Sequence, residues 1–189
     1  MNEKVLFALL RLGLGTSSDI QKESISDLFM FSEKQWKQLT EMAAFQGVSG
    51  VVLDGLQVIM NELGPGCFSR SIATDKWKMF FLQWIGEVQQ GYEGGNIQQM
   101  VVVDAIQRKW AESGIRMMLM KGQATGTYYL EPKHRSPGDI DCYFFDDYTR
   151  GNELAKEWAD KVDEHWYKHS VIAFGGQTIE NHQYFVHTC

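Results

Sequence analysis

The spacing of apolar residues changes once along this chain, at Gly114, and that change decides the class of fold open to it. Before Gly114 apolar side chains recur every three to four residues, the helical period; after it, short apolar runs and alternating segments are separated by turn residues. In 2–14, Val5, Leu6, Leu9 and Leu10 keep helical spacing until Gly13 and Gly15 stop it. Ser32 then precedes Trp36, Leu39, Met42 and Ala43 as a cap precedes an amphipathic helix. A third helical stretch, 47–63, carries Val51, Val52, Leu56 and Ile59 and ends at Gly64-Pro65-Gly66. From 74 to 113 the period stays helical, through Trp77, Phe80, Phe81 and Trp84 and on to Ile106 and Trp110, with a break or kink expected at 91–95.

Beyond Gly114 the elements shorten. Residues 115–120 read as a buried strand, and Lys121-Gly122 turns the chain toward a helix reaching about 129. After a polar loop at 131–138, residues 139–145 alternate as a strand that carries Asp139 and Asp141 on one face. The spacing of Leu154, Trp158 and Val162 predicts a helix over 148–164, and 171–174 should pair with 178–186 through Gly175-Gly176 as a hairpin. The expected fold class is α+β, with a helical N-terminal region (1–113) packed on a small mixed α/β core (114–189). The last residues stay aromatic and β-prone without a polar fade, so the sequence reads as cut from something longer, its core truncated at the C-terminus.

Composition narrows the function classes. At 189 residues there is room for one domain, or a small one with a helical extension, and an apolar share of 44% is enough to build a core and excludes wholesale disorder. Eighteen Lys and Arg against twenty-four Asp and Glu give a net charge of −6, which supplies no global basic field for a long nucleic acid, so nucleic acid is not expected among the partners. Cys67, Cys142 and Cys189 are widely spaced and form no C-x-x-C pair; they suggest a reducing compartment, the cytoplasm, and argue against a structural zinc site. No apolar run is long enough to span a membrane, and the N-terminal run is broken by Arg11 without a signal-peptide cleavage site.

The chemistry concentrates at Gly138-Asp139-Ile140-Asp141. Two carboxylates on one strand face repel each other unless a cation sits between them, and Mg²⁺ is the partner that makes the arrangement sensible. Lys121-Gly122, at a strand-to-helix turn, offers an ammonium group and a site of close approach for phosphate oxygens. Glu180 lies on a later predicted strand and completes a three-carboxylate site if that strand neighbours the one bearing Asp139.

These residues carry a resemblance. Met120-Lys121-Gly122, then Tyr128-Tyr129, then Arg135-x-x-Gly138-Asp139-Ile140-Asp141, resembles the signature of the nucleotidyltransferase superfamily related to DNA polymerase β. The chain is more closely similar to an uncharacterised bacterial family whose first motif reads Lys-Gly where better-known members have Gly-Ser, over 115–187. The resemblance implies a nucleotidyltransferase core in which Asp139, Asp141 and Glu180 are catalytic and hold Mg²⁺ or Mn²⁺. It further implies that a nucleoside monophosphate moves from an NTP to an unidentified acceptor, with release of pyrophosphate. Lys121, the amide of Gly122 and Gly138 would then belong to the substrate-binding set, with Arg135 as a second cation suited to phosphate. Two alternatives stay open: a catalytically weak or inactive nucleotide- or partner-binding module of the same fold, and a metal-dependent phosphohydrolase.

The remaining signals are weaker. His165 and His169, four apart, could share a helix face as zinc ligands, but no third ligand accompanies them. His182 shares the strand face of Glu180, which His187 does not, and can orient the site or touch substrate. Trp77, Phe80, Phe81 and Trp84 read as helix packing, and Met117, Met118 and Met120 as filler around a buried strand.

Overall fold

A computed structural model of the chain describes residues 3–17, 25–68, 74–165 and 167–185. The fold is α+β, with N-terminal helices and a five-stranded mixed sheet. The chain divides into two compact units, Met1–Gly94 with Tyr128–Ser136, and Gly95–Thr127 with Pro137–Cys189. The compact units part at Gly94, whereas the period of the sequence changes at Gly114.

The helical unit contains α1 (Glu3–Gly13), α2 (Glu33–Phe45), α3 (Ser49–Leu63) and α4 (Thr74–Val88). Ser32 caps α2 as its sequence predicts: its backbone N–H donates to Gln35 Oε1 at 2.9 Å, and its hydroxyl accepts from the Gln35 N–H. Leu9, Leu12, Trp36, Leu39, Leu56 and Ile59 are buried in one core. Phe80 and Trp84 join it around Trp36, so the aromatic stripe is used for packing; the Trp77 side chain, like His187 and Cys189, lies outside the described residues. Helices α1 and α3 touch backbone to backbone, because a Cβ on Gly13 would collide with the Val51 carbonyl and one on Gly55 with the Leu9 carbonyl. The excursion Tyr128–Ser136 returns to this unit and includes a short 3-10 turn, Pro132–His134. There His134 Nδ1 lies 2.8 Å from Asp54 Oδ1 on α3, and its Nε2 lies 3.2 Å from Glu93 Oε1. The hydrogen bond to Asp54 and the charges of both carboxylates hold the imidazole pKa above its ordinary value, against the opposing effect of burial.

At the expected break or kink the helix does not stop. It passes through a π turn, Gln89–Glu93, and continues as α5 (Gly94–Glu112). No described helix is long and apolar enough to cross a membrane.

In the sheet unit the strand order is β1-β2-β5-β4-β3, from β1 (Met118–Met120), β2 (Ile140–Tyr143), β3 (Lys161–Asp163), β4 (His169–Phe174) and β5 (Gln177–His182). Only β2 and β5 run parallel; the other neighbours are antiparallel. Ile140, Cys142, Ile172 and Ile179 bury one face with Val102, Val103, Ile106 and Trp110 of α5. These α5 residues supply much of the sheet's core, which is why α5 belongs to this unit. Two more helices are short: α6 (Gly122–Gly126) and α7 (Tyr148–Ala155).

The helix predicted over 148–164 ends at Ala155, and Val162 lies on β3. Leu154, Trp158 and Val162 all pack against the same core, but from a helix, a turn and an edge strand in succession. Trp158 is wedged between Trp110 and Phe174, with ring centroids 5.1 Å from each, and the Asp160 N–H then donates to Ala173 at 2.9 Å and opens the ladder. The strand predicted to reach 145 stops at Tyr143, because Phe144 turns inward to the core and Phe145 takes a positive φ of 57°. The predicted hairpin forms, with Gly175 and Gly176 both at positive φ.

Candidate functional site

The face of the sheet opposite the isoleucines carries the ionisable groups. Parallel pairing sets Asp141 of β2 directly beside Glu180 of β5, and Tyr143 beside His182. Asp141 is only 8% exposed, so its charge must be met locally. His182 Nε2 lies 2.8 Å from Asp141 Oδ1 and 3.4 Å from Glu180 Oε2. Lys121 Nζ donates to the same Asp141 oxygen at 2.9 Å. One ligand atom each from Asp141, Glu180 and His182 lies within 4.8 Å of the others, a spacing that suits a single divalent ion. Two carboxylates and one imidazole fit Mn²⁺ and the ions that follow it in the first transition row, and fit Mg²⁺ through the carboxylates.

Lys121 reaches Asp141 from a strained position. Met120 pairs with Asp141 at the end of β1, and the next residue, Lys121, adopts φ 40°, ψ −134° before the chain enters α6. Such a conformation costs a side-chain-bearing residue about 1–3 kcal/mol. Gly122 follows at φ 25°, where an added Cβ would press on the Asp139 carbonyl at 3.3 Å.

Two polar networks fix these pieces. Gln123 of α6 donates to Asn96 Oδ1 at 2.7 Å and to Gln99 Oε1 at 2.6 Å, both on α5, and Gln99 in turn donates to the Gly138 carbonyl. The Lys-Gly turn and the approach to Asp139 are thereby tied to one helix. Beneath the site, Ser170 and Asn181 both donate to Asn152 Oδ1, at 2.6 and 2.7 Å, joining β4 and β5 to α7. Cys142 points to the buried face; burial, and the charge of Asp141, push its thiol pKa far up and leave it inert.

Of the residues singled out in the sequence, Lys121, Asp141, Glu180 and His182 meet at this point. Gly122 and Gly138 lie on its supporting turns. Asp139 immediately precedes β2, is exposed, and stands outside the converging ligand group. Arg135 belongs to the excursion of the helical unit, where its guanidinium donates to the Ser136 carbonyl at 3.0 Å.

His169 is the residue that sequence reasoning misplaced. It lies on β4, not on a helix with His165, which instead bonds Asp163 from a loop. Cross-strand pairing sets His169 opposite His182, with Nε2 3.5 Å from Glu180 Oε1. Counting outward from the Gly175-Gly176 turn gives this pairing from sequence alone. A cleft of about 600 Å³ opens here, lined by Lys121, Lys168, His169 and His182 together with apolar Met118, Met120 and Phe185.

The chain was compared with protein-family models, with curated proteins and with solved structures, and nothing matched in any of the three.

Proposed function

We propose that this chain is a divalent-metal-dependent nucleotidyltransferase that moves a nucleoside monophosphate from an NTP to an acceptor hydroxyl. The observation that carries this reading is the convergence of Asp141 and Glu180 across the parallel β2–β5 pair, with the Lys121-Gly122 turn 2.9 Å away through the lysine ammonium group. Asp141, Glu180 and His182 would hold the ion, with Asp139 at the entrance to the same strand. When bound, a divalent ion there neutralises the phosphate oxygens.

The protein's own groups supply the rest. Lys121 has a largely exposed side chain, so its ammonium group can turn from Asp141 to a triphosphate oxygen. Gly122 permits close approach of the backbone to that phosphate. The acceptor oxygen bonds to the α-phosphorus, the bond from that phosphorus to the bridging oxygen breaks, and pyrophosphate leaves with the electron pair. The acceptor proton passes to Glu180, whose second oxygen is steadied by His169.

One observation favours a second reading, a binding module with little turnover. Lys121 already neutralises Asp141, and the Lys-Gly pair stands where better-known motifs have Gly-Ser, which places a bulkier, charged group at a strained turn. Calorimetric titration with ATP and GTP, with and without Mg²⁺ or Mn²⁺, tests the site. The first reading expects metal-dependent nucleotide binding that disappears in Asp141→Asn, and pyrophosphate release once an acceptor is supplied. Binding without turnover across a broad acceptor panel supports the module, and the absence of nucleotide binding removes the enzyme reading and leaves the partner-binding form of the module.

A further inference from the structure

We infer that this site selects an ion that accepts imidazole nitrogen, of the Mn²⁺, Co²⁺ or Zn²⁺ type, with His182 as a direct ligand and His169 as the group that orients Glu180. The inference deepens the reading above by naming the class of metal that the same carboxylates serve.

Five observations converge on it. The ligand atoms that lie within 4.8 Å of one another are two carboxylates and one imidazole, not three carboxylates. Asp139, which would make the set all-oxygen, stands outside it. Strand register places Glu180 and His182 two residues apart on one face, so the nitrogen is aimed by the backbone rather than by a flexible loop. A second imidazole, His169, borders Glu180 at 3.5 Å from the neighbouring strand, and its ring centroid is 5.4 Å from that of His182. Both histidine side chains are mostly buried, at 21% and 14% exposure, so their rings are held in place.

The chemistry follows from these placements. Mg²⁺ is a hard ion that retains several waters and takes carboxylate and phosphate oxygens, and it gains little from an imidazole. Mn²⁺ and its heavier neighbours bind imidazole nitrogen well, so His182 adds affinity for them selectively. His169, facing the carboxylate oxygen, acts as an outer partner of the kind whose loss weakens metal affinity about 10–100-fold.

Mn²⁺ is the probe, added to the metal-free full chain with no nucleotide present. The free-ion electron paramagnetic resonance signal gives the dissociation constant, Mg²⁺ competition gives the preference, and electron-spin-echo modulation detects a ligating ¹⁴N. The inference expects one bound Mn²⁺ with imidazole nitrogen modulation. In His182→Gln that modulation should vanish, and the preference for Mn²⁺ over Mg²⁺ should fall about tenfold or more. His169→Gln should keep the modulation while weakening Mn²⁺ binding. Bound Mn²⁺ without nitrogen modulation in the unaltered chain overturns the inference, as does an unchanged preference in a folded His182→Gln or the absence of any bound Mn²⁺. Nucleotide calorimetry fails separately: nitrogen-ligated Mn²⁺ with no NTP binding would leave this inference standing and remove the nucleotidyl-transfer reading, and the reverse pattern would do the opposite.

Discussion

Lys121 holds two roles that single substitutions can separate. Its backbone sits at φ 40°, ψ −134°, a region that glycine occupies without steric penalty and alanine does not. Lys121→Gly should therefore be more stable than Lys121→Ala by about 1 kcal/mol in urea unfolding, the relief of strain being partly offset by the greater freedom of glycine in the unfolded chain. Its ammonium group, in contrast, competes with any metal for Asp141. Because that side chain is 64% exposed, solvent screens the ion pair, and its removal should tighten Mn²⁺ binding by no more than about fivefold, the equivalent of roughly 1 kcal/mol. The same Lys121→Ala change should weaken NTP binding, and opposite signs for metal and nucleotide would show that one side chain serves both. His134 provides a residue-scale test in the helical unit. Its imidazolium is favoured in the fold by Asp54 and Glu93, so its pKa lies above the ordinary 6.5. The stability it contributes is fully present below about pH 6.5 and is lost as pH rises through the raised pKa. Urea midpoints of the unaltered chain should fall more between pH 6 and pH 8 than those of His134→Gln, and equal slopes would remove the assignment.

Elements were legible in this sequence wherever a local rule decided them. Ser32 and Gln35 form a capping box whose two hydrogen bonds need only four residues, and Gly175-Gly176 sets a hairpin register that propagates six residues back to His169. Elements decided by distant partners were not legible. Val162 keeps helical spacing from Leu154 and Trp158, yet it is strand because β4 offers an edge to pair with and Trp158 fits between Trp110 and Phe174. Glycines near 91–95 read as a break or a kink, and only the structure decides between them: the helix continues through a π turn at Gln89–Glu93. In the site, Asp141, Glu180 and His182 could be picked out because ionisable residues at period two mark one strand face, and Lys121 because Lys-Gly marks a strand-to-helix turn. Gln99 and Gln123 could not, since an amide pair on two helices, one buried and one half-buried, carries no periodic signature. The α1–α3 contact is a further matter of elements. Gly55 abuts the Leu9 carbonyl of α1, with no flexible side chain there to yield. Gly55→Ala should cost about 1–3 kcal/mol, measured by chemical denaturation, even though alanine is the better helix former.

At the scale of the whole chain, the sequence period changes at Gly114 but the compact units divide at Gly94, and the difference can be tested by where a fragment begins. Helix α5 looks like the last of the N-terminal helices because its spacing is theirs. Its buried residues Val102, Val103, Ile106 and Trp110 nevertheless share a core with Ile140, Cys142, Ile172 and Ile179, and Trp110 Nε1 donates to the Gly151 carbonyl at 3.1 Å. Gln99 on the same helix holds both Gln123 and Gly138. A fragment starting at Gly114 loses all of these, leaving one face of a five-stranded sheet bare apart from α7, and a large-to-nothing loss at Trp110 alone is worth about 3–5 kcal/mol. Small domains have total stabilities of about 5–15 kcal/mol, so that fragment should lack a cooperative thermal transition. A fragment starting at Gly95 retains the shared core and should unfold cooperatively. It should also keep metal affinity, since Asp141, Glu180 and His182, with His169 and Lys121, all lie within it. Its 128–136 segment would lack Asp54 and Glu93 as partners for His134, so the pH dependence assigned to that histidine should disappear from the fragment while Mn²⁺ binding persists. Cooperative folding from Gly114 would instead show that the sheet needs no helix from the N-terminal half, and the assignment of α5 to the site-bearing unit would fall.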